Sequence, residues 1–176
     1  MTAKPLAALA LASLVLAGCS TVAEVPTERV GQANLNFANG LPAGTVQLYR
    51  DGVGLRLAVA VTGMTPGAHG YHLHTTGRCE GPDFTSAGGH LNPAGRKHGS
   101  LATDGAHLGD LPNLSVNANG SGASTEALPG NRDAVLADIF DFDGTAVVIH
   151  ADADDYRSDP AGNAGKRVAC GVLKRA

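Results

Sequence analysis

The chain contains no tryptophan, and its 176 residues hold only 4 Phe and 3 Tyr, so a folded core has to be built mainly from Val, Leu and Ala. It has no surplus of positive charge. Its 13 Lys plus Arg face 16 Asp plus Glu, and a formal charge of -3 gives no general grip on a phosphate backbone. Nucleic acid is therefore not an expected partner. Apolar runs are short as well: the uncharged stretch Pro5 to Ala17 rises only about 20 Å as a helix, against a hydrocarbon layer of roughly 30 Å. His-Glu-x-x-His and Gly-x-Ser-x-Gly are absent, and Gly165-Lys166 lacks the spacing and hydroxyl of a phosphate-binding loop, which removes the usual hydrolase and nucleotide signatures. What is abundant is punctuation. The 24 Gly and 9 Pro make the chain turn-rich, yet they stay below the roughly 25–30% of Pro plus Gly that marks low-complexity disorder. Length and composition together predict one folded domain with a short appendage.

The appendage comes first. Lys4 supplies a positive charge, Pro5 to Ala17 forms a signal-type apolar segment, and Leu16-Ala17-Gly18-Cys19 follows at once. This run resembles the lipobox of bacterial lipoproteins, in which the Cys is acylated and becomes the mature first residue. The resemblance implies a signal peptide over 1–18, export to the bacterial cell envelope or periplasm, and a lipid anchor to the membrane through Cys19. An ordinary small-residue cleavage site at the same place implies export without the lipid. Residues 19–33 are polar and aperiodic and read as a tether that spans roughly 20 Å as a random coil, leaving 34–176 as the domain. With Cys19 set aside, Cys79 and Cys170 remain, and in an oxidising compartment one disulfide between them is expected. The chain-entropy relation gives roughly 4 to 5 kcal/mol for a loop of that size as an upper bound.

From about Ala33 the patterning is all-β. Thr45 to Arg50 alternates apolar and polar, Asp51-Gly52 is a turn dipeptide, and Leu55 to Val61 is a second β-prone run, which predicts a hairpin. Asn119-Gly120 and Asp143-Gly144 repeat the turn chemistry near Leu114 to Ala118 and Ala146 to His150. No stretch beyond the leader shows a helical stripe, and Pro112 and Pro129 interrupt any long helix near them. One region breaks the rhythm. From Cys79 to Asp110 the chain is glycine-rich and lacks either period, and a loop of that length needs something to hold it.

All seven histidines fall between His69 and His150. His72 and His74 lie two apart, so on a strand both imidazoles project from one face and can clamp a metal ion. His150 ends an apolar run, where a neighbouring strand can add a third imidazole. His90, His98, His107 and Asp110 are spaced along the long loop and offer three nitrogens and one carboxylate, a donor set suited to tetrahedral zinc. His69 is expected to pack or to hydrogen-bond. Spacing does not say which imidazole, if any, is shared.

At this point the chain resembles copper/zinc superoxide dismutase of the bacterial exported lipoprotein type. The residues that carry the resemblance are Gly67 to His74, Gly88 to Pro93, Arg96 to Gly99, His107 to Leu111, Val148 to Asp155 and Gly162 to Val172. It implies a Greek-key β-sandwich or flattened eight-stranded barrel with long metal-binding loops. It implies a copper ion on His72, His74, His90 and His150, and a zinc ion on His90, His98, His107 and Asp110. Asp154 matches a carboxylate that orients ligands of both metals, expected to be His74 and His98. Cys79 and Cys170 match the family's disulfide, which would pin the metal loop beside Arg167.

The activity implied is dismutation of superoxide to dioxygen and hydrogen peroxide. Copper changes oxidation state, zinc does not, and His90 serves both as bridge and as proton carrier. Arg167 matches an arginine that receives the anion, with Lys166 and Arg157 as further sources of local positive charge. The segment from Asp154 to Arg167 is shorter than in the cytosolic enzymes. Family members occur as monomers and as dimers, so a homodimer is admitted. The rival reading is a non-enzymatic copper/zinc-binding protein of the cell envelope on the same fold. All seven ligand positions together with Arg167 weigh against it.

Overall fold

A computed structural model describes residues 27–176. The leader and Cys19 lie outside the described residues. Ten strands form, β1 (Glu28–Phe37), β2 (Pro42–Arg50), β3 (Leu55–Val61), β4 (Gly67–His69), β5 (Tyr71–His74), β6 (Leu114–Val116), β7 (Gly122–Leu128), β8 (Ala146–His150), β9 (Arg167–Val172) and β10 (Lys174–Arg175), with one α-helix, α1 (Arg132–Ile139), before β8. The path through the antiparallel sheet is β4-β6-β7-β3-β2-β1-β9-β8-β5, and β10 pairs with β1. The two ends of this path, β4 and β5, adjoin in sequence through Gly70, so one bent strand closes the sheet into a barrel. Taking β4 with β5 and β10 as the tail of β9 gives the eight strands expected. The connections from β3 to β4 and from β7 to β8 each pass over intervening strands, which is the Greek-key pattern.

The predicted hairpin is β2–β3. Its register runs from Gly44 opposite Val61 to Arg50 opposite Leu55, and the Asp51 carboxylate accepts the N–H groups of Val53 and Gly54 to close the turn. Alternation decides the faces: Leu55, Leu57, Val59 and Val61 of β3 point into a core that they share with Leu35, Val46, Leu48, Leu114 and Ile149. Strands β5 and β8 are buried at every position because a second layer, the long loop, covers their outer face. There Ala146, Val148 and Cys170 pack against Phe84 and Ala87.

Two expectations are corrected. The domain begins before the boundary expected at 34, since β1 starts at Glu28, within the stretch 19–33 expected to be a tether. Its inward positions include Gly31 and Ala33, and a Cβ on Gly31 would lie 2.8 Å from the Phe140 ring and 3.3 Å from Leu48. Close packing demands small residues there, and small residues give no apolar alternation to read. The second is α1, where no helix was expected. Asn131 caps it by accepting the N–H groups of Asp133 and Ala134, and Val135 and Ile139, one turn apart, face the core. Two turns are too few to make a periodic stripe.

Candidate metal centre

The site is built on the outer face of β5 and β8. His72 and His74 point the same way from β5, as two residues apart on a strand must. Their strand pairs with β8 through His72 opposite Val148 and His74 opposite Ala146, and the His150 N–H donates to the Gly70 carbonyl at 2.8 Å, which brings the third imidazole alongside. The loop between β5 and β6 folds back over this face. It makes isolated bridges between His74 and His90 and between His72 and Asp110, reinforced by Leu91 N–H to Leu73 O at 2.8 Å and Leu73 N–H to Gly109 O at 3.0 Å. A loop without regular structure is thus stitched to the strand residue by residue. The disulfide between Cys79 and Cys170 forms as expected, with Cα atoms 5.7 Å apart, and ties the start of this loop to β9.

The result is two adjoining donor clusters that share His90. One ligand atom from each of His72, His74, His90 and His150 lies within 4.8 Å of the others, and the same holds for His90, His98, His107 and Asp110. The His72 and His90 rings stack at 3.9 Å between centroids, and the His90 and His98 rings meet at 5.1 Å.

Hydrogen bonds fix which nitrogen each ring turns inward, because a neutral imidazole has one N–H and one lone pair. His72 Nε2 lies 2.8 Å from Asp154 Oδ2, His74 Nδ1 lies 3.0 Å from the Gly88 carbonyl, and His150 Nδ1 lies 3.2 Å from the Gly165 carbonyl. Each of these oxygens can only accept, so each ring spends its proton outward. The opposite atoms, His72 Nδ1, His74 Nε2 and His150 Nε2, are buried without a hydrogen-bond partner, and so is His90 Nε2. Four buried lone pairs converging without partners are what a cation held by imidazole requires, and imidazole suits copper.

In the second cluster, Asp110 Oδ1 lies 2.8 Å from His90 Nδ1 and 3.1 Å from Nδ1 of both His98 and His107, while the Nδ1 atoms of His107 and His90 are 3.4 Å apart. Ligand atoms around a tetrahedral zinc with bonds of roughly 2.0–2.1 Å stand about 3.3 Å from one another. His98 already donates Nε2–H to Asp154 Oδ1 at 2.9 Å, so its Nδ1 turns a lone pair toward a carboxylate oxygen. A cation between them removes that repulsion. The other oxygen of Asp110 accepts the N–H groups of Gly99 and His107, which fixes the carboxylate plane.

Electrostatics agree. Burial pulls the pKa of His72 down to about 3, of His74 to about 2 and of His150 to about 4, from 6.5, and burial likewise lowers that of His90. Burial alone would raise the pKa values of Asp110 and Asp154, but hydrogen bonds from His90 to the first and from His72 and His98 to the second carry them well below the usual carboxylate range. The four imidazoles of the first cluster are therefore neutral and both carboxylates ionised, the forms that bind metal.

Arg167 is half-buried at the start of β9. Its guanidinium donates to the carbonyls of Phe84 and Gly88, both at 2.7 Å, and the Gly88 oxygen is also the acceptor for His74 Nδ1. A cavity of about 480 Å³ opens beside it, lined by Pro82, Asp83, Thr85, Gly165, Lys166 and Arg167. Lys166 and Arg157 are both exposed. His69 belongs to neither cluster. As expected it hydrogen-bonds, with Nδ1 2.8 Å from the His150 carbonyl and Nε2 2.8 Å from that of Thr65.

One sequence expectation is overturned. Asp154 spans His72 and His98, not His74 and His98. The bridges of the loop to β5 place His72 opposite Asp110 and His74 opposite His90, so His72 is the strand imidazole nearer the carboxylate end, while His74 turns to Gly88. The Gly88 and Gly165 carbonyls were not anticipated at all, because a backbone acceptor leaves no side-chain signal.

A Greek-key barrel that carries a bimetallic centre with one shared imidazole defines a class of redox metalloproteins. The family model described as copper/zinc superoxide dismutase (SODC) matches residues 42–173. "Superoxide dismutase [Cu-Zn] 1" of Aquifex aeolicus is 39% identical over 149 residues, covering 81% of this chain and 86% of that protein. "Superoxide dismutase [Cu-Zn]" of Deinococcus radiodurans is 36% identical over 99% of this chain and 96% of its own. The crystal structure of a SOD-like protein from Bacillus subtilis superposes with a TM-score of 0.76 at 37% identity, covering 81% of this chain and 97% of that one. The chain belongs to the copper/zinc superoxide dismutase family. Its activity is that of an oxidoreductase that dismutates superoxide, with copper and zinc as cofactors.

Proposed function

We propose that His72 Nδ1, His74 Nε2, His90 Nε2 and His150 Nε2 hold copper, that His90 Nδ1, His98 Nδ1, His107 Nδ1 and Asp110 Oδ1 hold zinc, and that Arg167 receives superoxide. The observation that carries this assignment is the set of four buried, partnerless nitrogens beside the cluster of three nitrogens and one oxygen. Copper held there would supply one-electron exchange with superoxide, whereas zinc has no accessible redox change.

The chain's own groups do the rest. The Arg167 fork is fixed by two carbonyls and offers directed hydrogen bonds to a small anion arriving through the adjacent cavity, where Lys166 adds positive charge against Asp83. His90 has no hydrogen-bond partner on Nε2, so this atom can take up one proton and deliver it to the reduced anion while Nδ1 stays on the zinc side, with solvent water giving the second proton that hydrogen peroxide requires. Asp154, Gly88 and Gly165 keep the proton of each other copper-side ring facing outward, so those rings are always ready to bind.

The same reading places the protein in the bacterial envelope, exported by the segment 1–18 and anchored through a lipid on Cys19. Strand β1 starts at Glu28, nearest the anchor, and ends at Phe37, which pairs with Ala169 two residues from Arg167. Ten strand residues span about 33 Å, so Glu28 and the Arg167 cavity lie toward opposite ends of β1.

Purified protein loaded with both metals is expected to bind about one copper and one zinc per chain and to accelerate superoxide decay in proportion to its copper content. Decay at the buffer rate with both metals bound would overturn the catalytic assignment.

A further inference from the structure

Asn113 lies between Asp110 and β6 and contacts neither donor cluster, yet its side chain is fully committed. Its Oδ1 accepts the Asp154 N–H at 2.8 Å and its Nδ2 donates to the Asp154 carbonyl at 2.9 Å, so one amide grips both sides of one residue's backbone. Its own N–H donates to the Tyr156 hydroxyl at 2.8 Å, and the Tyr156 N–H donates to Asp154 Oδ1 at 2.6 Å. Asp154 is buried and carries His98 on Oδ1 and His72 on Oδ2. A carboxylate that holds a different ring on each oxygen needs a fixed backbone, and here that backbone belongs to a loop outside the barrel.

We infer that Asn113 is a positioning residue for both metal sites, acting through Asp154. The inference rests on the assignment of His72 to copper and His98 to zinc. Only a primary amide of this length offers an acceptor and a donor together to the N–H and C=O of one residue. An aspartate would set a carboxylate oxygen against the Asp154 carbonyl, and alanine would leave both backbone groups without their partners. If Asp154 rotates, the Nε2–H groups of His72 and His98 lose their acceptor together, and both rings lose the contact that turns Nδ1 toward its metal. The Asn113-Leu114-Ser115 triplet, which has the form of a glycosylation acceptor, thus has an internal role for its asparagine.

The test uses the full metal-loaded protein with Asn113→Ala and Asn113→Asp, each also placed in an Asp154→Asn background. Zinc affinity is read by chelator competition, and the copper environment by the Cu(II) electron paramagnetic resonance spectrum. Loss of an outer partner of a metal ligand costs about 10- to 100-fold in affinity. Asn113→Ala is expected to weaken zinc by about tenfold and to shift the copper spectrum, and to add less than about twofold in the Asp154→Asn background. Asn113→Asp keeps the size and the acceptor, and is expected to move both readouts in the same direction if the alanine variant does not fold. A lower melting temperature with unchanged spectrum and zinc affinity would overturn the inference, as would fully additive losses in the double variant. If Asp154→Asn itself leaves both metals undisturbed, the assignment of His72 and His98 fails. If Asp154→Asn disturbs them and the Asn113 variants do not, the inference fails alone.

Discussion

An imidazole can present either of two nitrogens to a metal, and in this centre the choice is made by oxygens on the far side of each ring. Asp154 accepts the hydrogen bond of His72 at Nε2, and the Gly88 and Gly165 carbonyls accept those of His74 and His150 at Nδ1, so one ring turns Nδ1 inward and two turn Nε2. Among the described residues His90 is the ring common to the four-imidazole cluster and the cluster that holds Asp110. Because His150 belongs to one cluster only, His150→Ala is expected to abolish superoxide turnover while zinc stays bound, as metal analysis beside a rate measurement will show; zinc lost with copper retained would contradict the assignment. The same buried rings set an acid limit on the metal-free fold. Burial depresses His72, His74 and His150 from 6.5 to about 3, 2 and 4, so below 6.5 the unfolded chain binds protons that the folded chain refuses. Their contribution to stability is complete above pH 6.5 and is lost progressively as pH falls through the folded values. The melting temperature of metal-free protein is therefore expected to fall steadily from about pH 6.5 toward pH 4, and a flat profile over that range would mean that the rings are not buried neutral. Residue types and their spacing made seven donor residues legible, and only the family resemblance implied that His90 serves both clusters. They could not make the Asp154 partnership legible, since His72 and His74 are alike in type, strand and face.

At the level of elements, strands carry three of the four residues of the first cluster, and a loop supplies the shared ring and the rest of the second. The hairpin β2–β3 could be read directly because long side chains alternate and a turn dipeptide joins them. The first half of β1 could not, because its inward positions are small, and α1 could not, because two turns hold only one buried pair. The loop stays in place through its bridges to β5, the cover of Phe84 and Ala87 on β8, and the disulfide. That loop also bears the Phe84 and Gly88 carbonyls that hold Arg167. Gly162 shows how tightly the second loop, between β8 and β9, closes on the site: with φ at 64°, a Cβ there would lie 1.8 Å from Asp154 Oδ1. Replacing both cysteines with serine is expected to cost about 2–5 kcal/mol of stability and to lower the superoxide rate by more than any loss of copper explains. Calorimetry and rates normalised to bound copper test this, and an unchanged normalised rate would separate the disulfide from the placement of Arg167.

On the scale of the whole molecule, a chain with net charge -3 does not attract an anion by its overall field, so attraction is local to Lys166 and Arg167. No helix among the described residues is long and apolar enough to cross a membrane; the proposed reading puts membrane attachment at Cys19. Cys19→Ala is expected to move the protein from the membrane fraction to the soluble envelope fraction with unchanged activity per copper, because Cys19 belongs to neither donor cluster. Retention of that variant in membranes would defeat the lipid anchor. The sequence by itself determined which donors are available, their order along the chain, the cysteines left to pair and the family, because these follow from side-chain chemistry and spacing. Only the tertiary structure decided which nitrogen of each ring faces inward and which strand histidine meets Asp154. Those choices depend on carbonyls and carboxylates brought in by strand register and by two loops far away in the chain, and an imidazole is chemically indifferent between its two nitrogens until such a partner arrives.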